Sequence, residues 1–370
     1  MISKAKWSLV CAGVVAAVAA HLYAQQPTAQ IPVYNFRSPE DTRKFGMKPE
    51  DIGAGVKPDY SRLREQAVVI PAKGQVHMIA GVGGNVAMLV GDEGVVLVDT
   101  GAEAAAERVI GAYREMTSRP LRWIINTSVD ADHTGGNEAV AKTGLPGNGA
   151  AAPAAGGGGG GGRGGLNVTT ATIVAHEAVL NRMAAPTGQQ SNRPVAAWPS
   201  STFFTPKKTL FFNDEPIEIV HVPSGHSDGD LIVHFRRSDV IATGDIYATD
   251  RFPEFDVARG GSIQGVIDGL NRIIDMTVPA YNMQGGTLVI PGHGRLSNEA
   301  DVVEYRDMVT IIKERIQDMV QKRMTLAQVR TARPAFDYER IYGTASWTGD
   351  MFITAIFNDL SRPARRGTAR

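Results

Sequence analysis

Cysteine is all but missing from this 370-residue chain: Cys11 is the sole example, inside an apolar stretch close to the N-terminus. The remainder therefore has no disulfide, no thiolate metal ligand, no Cys-rich zinc finger and no cysteine nucleophile. Net charge is lacking too, since 38 Lys and Arg offset 38 Asp and Glu. With no stripe of Lys and Arg interleaved with aromatics either, the chain carries no electrostatic footprint for nucleic acid. Long hydrophobic runs are confined to the first 24 residues, so the chain beyond them reads as soluble protein. The glycine-rich segment 144–165 lacks a Gly-Lys-Ser/Thr ending and fingerprint spacing, which sets aside a phosphate-cradling loop.

Residues 1–24 read as a secretory signal: Lys4 and Lys6 precede an apolar stretch over 7–20, and Leu22-Tyr-Ala24 supplies a cleavage site. The apolar stretch is shorter than the roughly 20 residues a spanning helix needs. Ser8-Leu-Val-Cys11 is a poor lipidation motif. A periplasmic or secreted protein beginning near Gln25, with no stable membrane insertion, is the expectation.

Residues 25–70 are polar and punctuated by proline, and read as an extended N-terminal arm. Short β-branched runs then come at Val76-His-Met-Ile79, Val86-Ala-Met-Leu-Val90 and Val95-Val-Leu-Val98, separated by glycine turns, a strand meander. Helical spacing occupies 102–116. Further strand-like runs fall at 121–125, 172–175, 217–222, 231–235, 240–243 and 288–290, with helical segments between and after them. Strands alternating with helices in two halves predict an α/β layered domain over 71–298, with the low-complexity segment 144–165 as a flexible surface insertion. Residues 299–370 read as a C-terminal helical extension packing on that domain, with helices over 299–323, 326–332 and 351–360.

Chemistry concentrates in loops beside the apolar runs. After the strand-like Leu121-Arg-Trp-Ile-Ile125 comes Ser128-Val-Asp130-Ala-Asp132-His133-Thr-Gly-Gly, and later come Pro223-Ser-Gly-His226, Thr243-Gly-Asp245 and Pro291-Gly-His293-Gly294. Neutral imidazoles and carboxylates are the ligand set of zinc and similar divalent ions, and glycine permits the tight turns that gather them.

These loops, together with Val98-Asp-Thr-Gly101, resemble the metallo-β-lactamase superfamily in the right order from about Val76 to Gly294. The resemblance implies a four-layer αββα sandwich with a metal site at one edge of two packed sheets, usually binuclear zinc, and hydrolysis by a metal-bound water or hydroxide. In that family the first loop reads His-x-His-x-Asp-His, whose first two histidines bind one ion together with the histidine corresponding to His226. Here Ser128 and Asp130 stand in those two places. The first ion position keeps His226, with Asp130 as an oxygen ligand and Ser128 a poor one, so its zinc affinity should fall. The second position keeps Asp132, His133, Asp245 and His293, enough for one zinc ion. Asp99 would steady the loop from behind its ligands.

The remaining candidates have plainer readings. His176 follows a strand and reads as structural; His77 and His234 read as surface or hydrogen-bonded core residues; His221 could sit behind His226. Asp228 and Asp230 read as braces of the His226 loop. Tyr247 and Arg251 are placed near the cleft by their closeness to Asp245, and Trp198, Phe203 and Phe204 form an apolar wall or core.

Two functions stay open. One is an exported metal-dependent hydrolase of an ester-, amide/lactam- or phosphoester-type small molecule, with Asp132 holding the ion and Asp130 activating the attacking water. The other is a non-catalytic ligand- or partner-binding protein on a degenerate fold. A third possibility retains the ion but runs redox or sulfur chemistry, and the sequence does not choose among substrates.

Overall fold

A computed structural model describes residues 67–147, 170–184, 193–281 and 285–362. The proposed signal, the arm as far as residue 66 and most of the glycine-rich insertion lie outside the described residues. Thirteen strands form two sheets among them.

The first sheet runs β1 (Val68–Lys73), β2 (Val76–Ala80), β3 (Val86–Gly91), β4 (Gly94–Val98), β5 (Leu121–Ile125), β6 (Thr172–His176) and β7 (Ser201–Phe203) in that spatial order. Its first four strands are antiparallel, and β5, β6 and β7 continue parallel to β4. The second sheet is ordered β13 (Ser297–Asn298), β12 (Leu288–Ile290), β11 (Val240–Ala242), β10 (Asp230–Phe235), β9 (Glu215–Val222) and β8 (Lys207–Phe212).

Period-two alternation assigns each strand's side chains to a face. Val96 and Val98 join Leu231, Val233 and Phe235 in a core between the sheets. Val95 and Leu97 point the opposite way, onto α1 (Ala106–Met116). Val220, Val222, Ile232, Ile241 and Val289, on the outer face of the second sheet, pack with Val266, Leu270 and Ile273 of α5 (Ile263–Met276), Val309 and Ile312 of α6 (Glu299–Gln321), and Phe352 and Ile356 of α9 (Gly349–Leu360). Strands apolar on both faces need cover on both. The result is helix, sheet, sheet, helix: the expected αββα sandwich.

Element boundaries depart from the sequence expectation at two places. Residues 68–70, assigned to the arm, begin β1, an edge strand whose Pro71 disguises it. The helix expected from 102 opens with a 3-10 turn at Glu103–Ala105 and becomes α-helical at Ala106. Residues 299–362 add α6, α7 (Leu326–Ala332), α8 (Phe336–Tyr342) and α9 to the outer layer that α5 begins. No helix among the described residues is long and apolar enough to cross a membrane.

Topology decides where loops gather. β10 is antiparallel to both β9 and β11, and β12 is parallel to β11, so β9, β11 and β12 end on one side. Parallel β4 and β5 also share an end. The loops bearing Asp99, 126–133, His226, Asp245 and His293 extend from these five strand ends.

Candidate metal centre

The loop after β5 is shaped by buried hydrogen bonds. Asp99, with a left-handed φ of 68°, accepts from the Thr127 amide at 2.8 Å, the Thr127 hydroxyl at 2.6 Å and His133 Nδ1 at 2.7 Å. Asn137 exchanges amide bonds with Asn126 at 2.8 and 3.0 Å and accepts from the Thr100 hydroxyl at 2.9 Å. Asp132 and His133 lie on α2 (Ala131–Thr134), a single turn that starts after Asp130 and is succeeded by α3 (Asn137–Ala141). This turn directs both neighbouring side chains into the same centre. The Asp99 bond fixes the His133 tautomer with its proton on Nδ1 and leaves Nε2 for the centre.

The other loops are tied to this one. The Asn85 side chain donates to the carbonyls of Pro291 and Gly294, both at 3.0 Å, and clamps the turn that carries His293. Asp245 sits on a 3-10 turn over Gly244–Ile246. A Cβ at Gly84 would lie 2.6 Å from His133 Cε1, so backbone closes over that imidazole where any side chain would collide.

Two donor groups result. His133 Nε2 lies 3.0 Å from Asp245 Oδ1, and His293 Nε2 lies 3.2 Å from both Asp245 Oδ1 and Asp132 Oδ2. The structure brings these four residues together. Their donor set, two imidazoles and two carboxylates, fits one divalent ion with room for an exchangeable ligand. Asp130, His226 and Asp245 also offer donor atoms within 4.8 Å of one another. Asp130, however, is already engaged: one oxygen lies 2.5 Å from His226 Nε2, and the other accepts from the Arg259 guanidinium. Ser128 is buried and its hydroxyl accepts from the Asp130 amide at 3.3 Å, a local turn contact.

Charge pairing overrides burial throughout the centre. Burial works to raise the Asp245 carboxyl, yet the His133 charge and hydrogen bonds from His133 and His293 bring it well below the ordinary range. Burial works to lower His226, yet Asp130, Asp245 and Asp230 push it up to about 10. The same balance raises His133 and His293 and lowers Asp130 and Asp132. A cluster that holds protons this firmly is a strong attractor of positive charge.

Asp130, expected to activate the attacking water, has both oxygens engaged, by His226 and Arg259, and these partners lower its carboxyl against the effect of burial. Tyr247 is fully buried against Tyr305 at 5.1 Å and does not reach the cleft. Arg251 does reach it. Asp230 braces the His226 loop as expected, accepting from the Ser227 amide at 2.8 Å and from its hydroxyl. Asp228 instead pairs with Arg182 at 2.6 Å. His221 bonds the Asp228 carbonyl at 2.8 Å and stacks on His176 at 3.6 Å, and neither belongs to the two donor groups. Neither ring nitrogen of the buried His234 has a hydrogen-bond partner among the described residues, so it is not the satisfied core histidine expected. Trp198 packs beside Ala175 and beside Val179 and Met183 of α4 (Glu177–Met183); Phe203 is core and Phe204 is exposed.

Arg259, Asn85 and Glu254 escaped the sequence reading. Arg259 lies in Asp256-Val-Ala-Arg-Gly-Gly261, where the sequence signals a turn but not the partner of its arginine. The cleft above the centre has a volume of about 310 Å³ and is bounded by Asp130, Asp132, Arg251, Glu254, Arg259 and His293.

A two-sheet sandwich with carboxylates and imidazoles at one end defines a metallo-hydrolase type of fold. The sequence matches the metallo-beta-lactamase superfamily over residues 79–293, and the chain belongs to that superfamily. No curated protein matches it significantly. Among solved structures, it is similar to the stereoselective inverting sec-alkylsulfatase Pisa1 from Pseudomonas sp., at 14% identity over 82% of this chain and 52% of that one, TM-score 0.53. A double mutant of that sulfatase gives 13% identity, the same coverage and TM-score 0.55. The chain thus spans about half the length of these sulfatases. A metallo-beta-lactamase from Pontibacter korlensis shares 16% identity over 66% of this chain and 99% of its own, TM-score 0.48. Metal-dependent hydrolysis is the general chemistry of the superfamily.

Proposed function

We propose that the chain is an exported metal-dependent hydrolase of a small ester-, amide/lactam- or phosphoester-type substrate, working with one zinc ion held by Asp132, His133, Asp245 and His293. The observation that carries this reading is the convergence of those four donors beneath an open cleft, with His133 oriented from behind by Asp99. An ion bound there would supply Lewis acidity and bring the pKa of a bound water down toward neutrality.

The chain's own residues do the rest. Asp99 holds His133 in one tautomer, and Asn85 holds the His293 turn at its distance. Arg251 and Arg259 place guanidinium groups at the cleft wall, where substrate charge is met. Lys4 and Lys6 before the apolar N-terminal stretch support export.

The test is a panel of ester, lactone, lactam and phosphodiester substrates assayed with and without chelator. Asp132→Ala and His133→Ala should each lower turnover by at least 100-fold and reduce bound zinc to below a tenth of an equivalent, with folding checked by circular dichroism. Full turnover in both variants overturns the proposal.

A further inference from the structure

A guanidinium lies against Asp130 and His226, two residues of the altered first ion position. Arg259 closes a 3-10 turn over Val257–Arg259, and Asp256 caps that turn by accepting from the amides of Ala258 and Arg259. The same Asp256 carboxylate accepts from Arg259 Nε at 2.7 Å, so backbone and side chain are fixed by one group. The turn is seated against the His226 loop. The Asp228 amide donates to the Arg259 carbonyl at 2.8 Å, and the Asp256 amide to the His226 carbonyl at 2.8 Å. Gly260 has φ 90°, and a Cβ at Gly261 would lie 2.2 Å from the His226 carbonyl oxygen, so the two glycines allow this close approach.

From this seat the guanidinium donates to Asp130, and its second terminal nitrogen lies 3.4 Å from His226 Nε2. It thus contacts two of the three residues whose donor atoms could otherwise surround an ion, Asp130 and His226, the third being Asp245. The two bonds to Asp130 and Asp256 use two of its five N–H groups, and the side chain keeps about a quarter of its surface exposed on the cleft wall. Arginine suits such a place, since its charge is permanent and its fork matches planar and tetrahedral oxyanions.

We infer that Arg259 replaces the first metal ion: the centre is built for one divalent ion and one guanidinium, which meets an anionic oxygen of the substrate. The inference rests on the one-ion reading above for its second cation. The loss of two imidazoles is then one half of an exchange. A carboxylate at 130 anchors an arginine where imidazoles would anchor zinc, and Asp245 faces both halves.

Zinc uptake by the purified chain, counted by elemental analysis after dialysis against micromolar zinc, tests the exchange. The unaltered chain should hold one equivalent. Arg259→Ala frees Asp130 and His226 and should raise the count to about two. Arg259→Gln, which retains bulk and hydrogen bonding without charge, serves if the alanine variant does not fold. Inorganic sulfate then probes the anion contact by calorimetry in protein loaded with a single zinc equivalent. Its dissociation constant should rise at least tenfold in Arg259→Gln. Two equivalents in the unaltered chain, no gain in the variants, or unchanged sulfate affinity overturns the inference. No zinc at all in the unaltered chain overturns the one-ion hydrolase instead, and the gain on removing Arg259 still decides the role of the arginine.

Discussion

His133 shows how much a single side chain depends on the residues behind it. Its imidazole is wholly buried, held by Asp99 on one nitrogen and facing Asp245 with the other. Asp99→Asn retains the shape but replaces a carboxylate acceptor by a neutral amide. We expect zinc affinity to fall roughly 10–100-fold, measured by competition with a chromophoric chelator. An unchanged affinity would show that Asp99 does not orient the ligand. At this scale Asp132, His133, His226, Asp245 and His293 were legible as candidates, because glycine-framed imidazoles and carboxylates follow apolar runs in the order of a known family's loops. Arg259 was not. A lone arginine on a turn carries no spacing signal, and its partner Asp130 lies 129 positions away.

Among the elements, those with apolar residues on both faces were read correctly, for instance β5, β10 and β12. The strands that escaped are chiefly at sheet margins. β1 contains Pro71, β8 alternates exposed with partly buried residues, β7 has three residues and β13 has two. Edge strands need fewer apolar side chains and tolerate proline, so they resemble loops. α5 and α8 were not singled out either, and only the assembled outer layer makes their apolar positions interpretable. β10 also carries a pH-sensitive liability. Burial, reinforced by Arg236 and Lys207 against weaker opposition from Asp239 and Glu218, holds His234 down to about 4 from its ordinary 6.5. The folded state therefore keeps His234 neutral while the unfolded chain protonates it. Its stabilising contribution is complete above pH 6.5 and is lost as pH falls from 6.5 to 4, by up to about 3 kcal/mol. Urea unfolding at pH 7.5 and pH 4.5 should show His234→Leu losing less stability on acidification than the unaltered chain. Equal losses in the two proteins would contradict this assignment.

For the whole molecule, the division expected at residue 298 is a division of sequence and not of packing. Val302, Tyr305, Val309, Ile312, Phe352 and Ile356 share one core with Val220, Ile232, Ile241 and Val289. A chain ending at residue 298 would leave the outer face of the second sheet covered by α5 alone. It should show no cooperative thermal transition and should bind hydrophobic dye; a cooperative transition near that of the complete chain would mean that 299–362 is an accessory. Layer order was legible because apolar runs need cover on both faces. Which helices supply the cover was not, since that is fixed by contacts between distant segments.

On the proposed reading, one end of this sandwich holds a single divalent ion among Asp132, His133, Asp245 and His293, with Arg259 on Asp130 beside it. Anomalous diffraction at the zinc edge, from crystals grown with zinc, would locate that ion. One peak among those four residues, with the Arg259–Asp130 pair intact, is the predicted result; a peak between Asp130 and His226, or no peak at the four donors, would contradict it.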